Sequence, residues 1–180
     1  MTALPDLLPG SHLFVDETKR TGLALIAAIV VAGNVAEVRK AMLAMRLPGQ
    51  THIHFTKESP QRRRHLLSAI SRLPVQALVY EAGEDDRYFC LQRLLQDAQS
   101  IQAARLILER DESLAQHDRR AIYEFTQQNT MRNDFSYGHE GKRDEPILWI
   151  ADAIAWSWPQ RDWKPRVQGL VVGHRDCKPA

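Results

Sequence analysis

The apolar positions of this chain fall into runs that switch between the two-residue beat of a strand and the three-to-four-residue beat of a helix. Leu13-Phe14-Val15 comes first and closes on Asp16-Glu17-Thr18. Only Lys19-Arg20-Thr21 separates it from residues 22–33, a nearly unbroken apolar stretch, so the two are expected to pair as an antiparallel hairpin. That pairing places Asp16 beside the turn. Asn34 then caps a helix over 34–45, with Val35, Val38, Met42 and Met45 on its buried face, and Pro48-Gly49 stops it. His52-Ile53-His54-Phe55 reads as a brief extended piece. Ser59-Pro60 supplies the cap and first position of a helix to about Arg72, buried through Leu66, Leu67 and Ile70.

Residues 75–81 give a third strand, and 85–103 a long helix with Phe89, Leu91, Leu94, Leu95 and Ile101 as its apolar positions. Residues 105–109 form a buried strand that again ends in acids: Glu109, Asp111 and Glu112. An amphipathic helix over 113–131 turns Leu114, Ile122, Tyr123 and Phe125 inward. A short strand at 133–137 leads into a turn at 138–141, and Asp144-Glu145-Pro146 starts a helix over 147–158 that Pro159 ends. Residues 167–172 suit an edge strand, and 173–180 a polar tail. Strands and helices in this order make an α/β fold: a mixed sheet with an antiparallel start and later parallel strands, flanked by helices. One domain is expected over 1–180, with its core at about 12–172.

Composition adds bounds. The chain has 180 residues, 44% hydrophobic and 26% charged, enough for a continuous core and unlike a disordered chain. A net charge of +2 permits a nucleic-acid partner without demanding one. Cys90 and Cys177 make neither a disulfide framework nor a CxxC metal site, which favours a reducing compartment. Residues 1–10 lack the basic start and apolar core of a secretory signal, and residues 23–32 are too few to cross a bilayer, which needs about 20. A soluble cytoplasmic protein is expected, with no membrane contact and an undetermined oligomeric state.

The candidate chemistry begins with Asp152. The helix around it, Ile147-Leu-Trp-Ile-Ala-Asp-Ala-Ile-Ala-Trp156, is apolar on nearly every face, and Asp152 is its only ionisable interior residue. An unpaired buried charge does not persist, so Asp152 must face an Arg or Lys, be protonated, or bind a cation. Asp16, Glu109 and Asp152 are carboxylates from three separate buried elements. Their oxygens suit hard divalent cations such as Mg²⁺ or Mn²⁺. Asp16 also admits a plainer reading as a turn-starting residue. Trp149, Trp156, Trp158 and Trp163 sit at helical spacing and are assigned to the core.

Leu-Phe-Val-Asp16-Glu-Thr, His-Ile-His54-Phe-Thr-Lys-Glu58, Leu-Ile-Leu-Glu109 and Ile-Ala-Asp152-Ala-Ile resemble, in order and spacing, the domain of unknown function 3800 group, which is similar to the ribonuclease H-like superfamily. The resemblance covers residues 12 to about 158. It implies a sheet whose first strand supplies a central Asp, whose fourth strand ends in an acid, and whose last helix supplies another Asp. Asp16, Glu109 and Asp152 match these positions. A two-metal phosphodiester hydrolysis of DNA or RNA would follow, with Mg²⁺ or Mn²⁺ held by those acids. Glu17 is set aside because its side chain points to the opposite face. Where the resemblance calls for a Glu, this chain has His52, so a ligand would be replaced by Asp111, Asp144 or Glu145, and Asp111 rivals Glu109 at the same strand end. His54 and Lys57 are candidates to orient phosphate or shuttle a proton, and Arg62, Arg63 and Arg64 to contact it. The alternatives are a non-catalytic nucleic-acid- or protein-binding module, which His52 favours, and an enzyme on a small phosphorylated substrate.

Overall fold

The computed structural model describes residues 7–82 and 87–177. The helix start placed at Asp85 and the ends of both termini lie outside the described residues.

The first two apolar runs form the hairpin of β1 (His12–Thr18) and β2 (Ala24–Val30), with Asp16 opposite Ile26. Its connection depends on Gly22, whose φ of +100° is open to glycine and whose added Cβ would lie 3.2 Å from the Ala82 carbonyl oxygen. Every residue of β2 is buried, as expected for an apolar strand covered on both faces. On one side β2 pairs antiparallel with β3 (Gln76–Glu81). On the other, β1 pairs in parallel with β4 (Arg105–Glu109), β4 with β5 (Ser136–Glu140), and β6 (Val171–Asp176) adds in parallel to the far side of β3. The six-stranded order is β5-β4-β1-β2-β3-β6.

Helices α1 (Val35–Ala44), α2 (Pro60–Ile70) and α5 (Leu148–Ser157) cover one face, around Phe14, Ile26, Val38, Leu67, Trp149 and Ile154. Helices α3 (Arg87–Ser100) and α4 (Ala115–Gln128) cover the other, around Leu13, Val15, Leu25, Leu94 and Ile122. Alternation along β1 sends Leu13 and Val15 toward α3 and α4 and Phe14 toward α5. By the same beat Asp16 faces α5. All ten residues of α5 are buried, so this helix is wedged into the fold rather than laid on its surface.

Local chemistry fixes the helix entries. Ser59 Oγ accepts from the Arg62 backbone N–H at 3.2 Å, with Pro60 in the first turn of α2. The entry to α5 uses Glu145 rather than Asp144: buried Glu145 accepts from the Ile147 N–H at 3.0 Å and holds Arg39 of α1 through contacts of 3.2 and 2.6 Å. Asp144 is exposed.

Several expectations are corrected. Asp16 lies inside β1, which runs on to Thr18, not beside the turn. The strand expected at 133–137 is β5 at 136–140, so Gly138 is a strand residue, and β6 occupies part of the stretch read as a polar tail. Both are edge strands. Among the described residues, one side of each lacks a partner strand, and such edges carry the polar residues seen here, Ser136, His139, His174 and Asp176. In β6, Gly173 packs closely on Leu78, whose Cδ2 would have to shift to admit a Cβ 2.6 Å away. Residues 52–55 are not extended throughout; a 3-10 turn spans Phe55–Lys57. Tyr123, expected inward, is 63% exposed. No helix among the described residues is long and apolar enough to cross a membrane.

Candidate active site

Asp16 and Glu109 lie at the same end of the sheet because β1 and β4 are adjacent and parallel. Their pairing stops at Val15–Leu108, one residue before each acid. Past this point β4 leads to one side of β1 and β2 to the other, the place where open α/β sheets bind ligands beyond the carboxyl ends of their strands. Asp152 comes down from α5 onto the same point. Its Oδ2 accepts from the Phe55 N–H at 3.0 Å, which fixes the carboxylate and ties the 55–57 turn to the helix.

At the centre stands a residue that the sequence reading missed. Lys142, in the turn between β5 and α5, places its Nζ 2.9 Å from Asp16 Oδ2, 3.0 Å from Asp152 Oδ1 and 3.3 Å from Glu109 Oε1. Three carboxylates therefore surround one ammonium. Of these contacts only that with Asp152 has hydrogen-bond alignment; Asp16 Oδ2 has an ion pair but no hydrogen bond, though it is fully buried. Asp16 Oδ1 accepts from the Glu17 N–H at 2.8 Å. The Lys142 carbonyl accepts from Trp149 Nε1 at 2.6 Å, so the backbone beneath the ammonium is anchored to α5.

Burial dominates the electrostatics. It pushes the Asp16 carboxyl up to about 7; the neighbouring Glu109 adds to the rise and Lys142 opposes it. Burial raises Asp152 as well, again against Lys142. For Lys142, burial works to lower the pKa, but Asp16 and Asp152 outweigh it, so the group stays firmly protonated.

The remaining candidates fall in different places. Asp111 is exposed, and its Oδ1 accepts from the backbone N–H (2.9 Å) and hydroxyl (2.6 Å) of Ser113, forming the turn into α4; Glu109 is the acid at this strand end that meets Asp16 and Asp152 through Lys142. Glu145 is committed to Arg39 and the α5 entry. His52, half-buried, has its pKa lowered by burial and by His54, Arg143 and Lys142, against Asp152, which places it at the rim of the cluster. His54 Nδ1 is buried without a hydrogen-bond partner. Lys57 is exposed, and no hydrogen bond or ion pair among the described residues joins it or His54 to the three acids.

The three arginines also separate. Arg62 donates to the Met45 carbonyl and lies 3.9 Å from Glu58. Arg63 donates to the carbonyls of Phe55 (2.9 Å) and Thr56 (2.5 Å), with its guanidinium 4.1 Å from the centre of the Trp156 ring. Arg64 is exposed. Trp149, Trp156 and Trp158 are buried, as expected of core residues. Glu17 points to the opposite face, where Arg87 bridges it (2.8 Å) to buried Asp118, itself 3.1 Å from His139.

Among the described residues, no group of three or more His, Cys, Asp and Glu side chains has the spacing of a bound metal ion. The reason is visible in the distances: acids held about 3 Å from an ammonium stand further out than the roughly 2.0–2.1 Å of a Mg²⁺ ligand. The donor set itself suits such an ion. It is all carboxylate oxygen, it comes from three elements, and it includes the buried Asp16 Oδ2 with no hydrogen bond.

The fold is ribonuclease H-like: a mixed sheet of antiparallel and parallel strands flanked by helices. One chain of the PCNA:RNase HII complex from Archaeoglobus fulgidus matches with a TM-score of 0.54 and 13% identity, over 88% of this chain and 75% of that one. Bst-RNase HIII in complex with Mn²⁺ matches with a TM-score of 0.44 and 12% identity, over 93% of this chain and 56% of that one. No protein-family profile and no curated protein matches the chain.

Proposed function

We propose that this protein is a metal-dependent nuclease of the domain of unknown function 3800 group, hydrolysing phosphodiester bonds of DNA or RNA. One observation carries the reading: Asp16, Glu109 and Asp152, from β1, β4 and α5, converge on a single cation position at the carboxyl ends of two parallel strands. The ribonuclease H-like fold supports it.

Asp16, Glu109 and Asp152 would hold Mg²⁺ or Mn²⁺. Bound there, the ion supplies Lewis acidity toward a phosphate and lowers the pKa of water. The chain's own residues supply placement. Phe55 N–H and Glu17 N–H hold the Asp152 and Asp16 carboxylates, and buried α5 keeps Asp152 from drifting. In the metal-free protein burial raises the Asp16 carboxyl to about 7, so an ion binding there would displace a proton from it near neutral pH. Exposed Lys57, Arg64 and Arg143 are available to a phosphate backbone, whereas Arg63 holds the segment that carries Phe55 and Arg62 is tied to the Met45 carbonyl and Glu58.

With Mg²⁺ or Mn²⁺ the purified protein should cleave labelled single-stranded, double-stranded or hybrid nucleic acid. Asp16→Asn should lower the rate by about 100-fold or more, and chelator should abolish cleavage. Cleavage that survives both treatments would belong to a different site.

Lys142 favours a second reading, a nucleic-acid-binding module whose acids serve to hold the lysine rather than a metal. Binding of the same polymers without cleavage at any metal concentration would select it.

A further inference from the structure

We propose that Lys142 is an intramolecular rival of the divalent cation: its ammonium holds the metal position in the free protein and must swing out before an ion can bind. The proposal rests on reading Asp16, Glu109 and Asp152 as the cation's ligands.

Three features carry it. First, the ammonium lies at the focus of the cluster rather than at its rim, within 3.3 Å of an oxygen from each acid. A divalent ion bound by the same three oxygens would have to use that space. Nitrogen and metal cannot both hold it. Second, the ion would gain what the ammonium leaves unfilled. Asp16 Oδ2 is buried and meets Lys142 as an ion pair at 2.9 Å, while the ammonium's hydrogen bond goes to Asp152. A metal ion has no such directional demand from a proton, and three carboxylates exceed the single charge that Lys142 brings.

Third, the exchange needs only side-chain motion. The Lys142 carbonyl is fixed by Trp149 Nε1, and the turn around it is closed by Asp144 N–H and Glu145 N–H donating to the Gly141 carbonyl at 2.9 and 3.0 Å. Glu145 is in turn locked to Arg39. The backbone can stay in place while the flexible four-carbon stem rotates. The Lys142 side chain is 14% exposed, so the ammonium lies near a way out to water. Lys142 then sets the threshold of free metal at which the acids become a metal site.

The test uses MnCl₂ alone, read by calorimetry or by the electron paramagnetic resonance of free Mn²⁺, on the wild type and on Lys142→Met, which keeps the stem and removes the charge. Lys142→Met should bind Mn²⁺ on the order of tenfold more tightly. Because the variant leaves three acids without a cation, a second measurement uses the wild type only: acylation of lysines by acetic anhydride, followed by peptide mass spectrometry. Mn²⁺ should raise the labelling of Lys142 several-fold and leave exposed Lys19 unchanged. Equal Mn²⁺ affinity in both proteins, with Lys142 labelling indifferent to metal, overturns the rivalry and leaves the metal site standing. Weaker binding by Lys142→Met also overturns it. No Mn²⁺ binding by either protein overturns both the rivalry and the metal-dependent reading beneath it.

Discussion

Asp16, alongside Asp152, carries a pH response in this molecule. Its folded pKa, about 7, is well above the ordinary 3.8, so the folded state holds a proton that the unfolded state releases. Linkage then makes stability fall as pH rises from about 4 to about 7, with an upper bound on the order of 4 kcal/mol, and flatten above. Asp16→Asn removes the titration. In metal-free urea melts between pH 4.5 and 8.5, the wild type should lose stability relative to Asp16→Asn as pH increases, and parallel curves would place the raised pKa elsewhere. Asp152 behaves differently, since it accepts a backbone N–H as well as the lysine. Asn at 152 keeps an acceptor for Phe55, and Lys142 keeps two other carboxylates. Asp152→Asn should therefore cost about 1–3 kcal/mol in chelator, less than stranding a lone buried ammonium would. A denaturation midpoint unchanged by this substitution would show that Lys142 does not depend on Asp152.

At the level of elements, the site is held by segments that never enter it. Arg63, on the first turn of α2, grips the carbonyls of Phe55 and Thr56 and stacks on Trp156 of α5. It thereby presents the Phe55 N–H to Asp152. Arg63→Ala should cost about 1–2 kcal/mol and speed amide hydrogen exchange at Phe55, while a residue that only contacts substrate would leave both unchanged. The sequence showed much of this layer and missed the rest for physical reasons. Strands β1 to β4 and the five helices announce themselves through buried periodic runs. Strands β5 and β6 do not, because an edge strand with polar residues lacks that signal. Asp111 was read as a ligand, yet Asp and Ser two apart also make a turn by themselves. Lys142 sits in Gly-Lys-Arg-Asp, which reads as a solvated turn. The demand for a partner was nonetheless readable: a lone carboxylate in the apolar 147–156 stretch must meet an Arg or Lys, take a proton, or bind a cation. Only the fold could say which one.

Across the whole molecule, Asp16, Glu109 and Asp152 lie far apart along the chain and meet only when β1, β4 and α5 are in place. The strand order gives this a temporal consequence. The β1-β2 hairpin closes through the short 19–23 connection, whereas β3 follows only after α1 and α2, β4 must return past β2 and β3 to pair with β1, and β5 then adds to β4. Short loops close at low entropic cost and long-range parallel pairs form late. In pulsed hydrogen exchange during refolding, amides shared by the β1-β2 hairpin should be protected before those of β4, and the reverse order would reject a hairpin-first route. Until β4 docks, β1 presents an unpaired apolar edge that ends at a carboxylate, Asp16. That charge is costly to bury in a second chain and so guards the half-made sheet against joining the wrong neighbour. The acid assigned here to hydrolysis would on this view serve the protein once before any substrate arrives, as a gatekeeper of its own assembly.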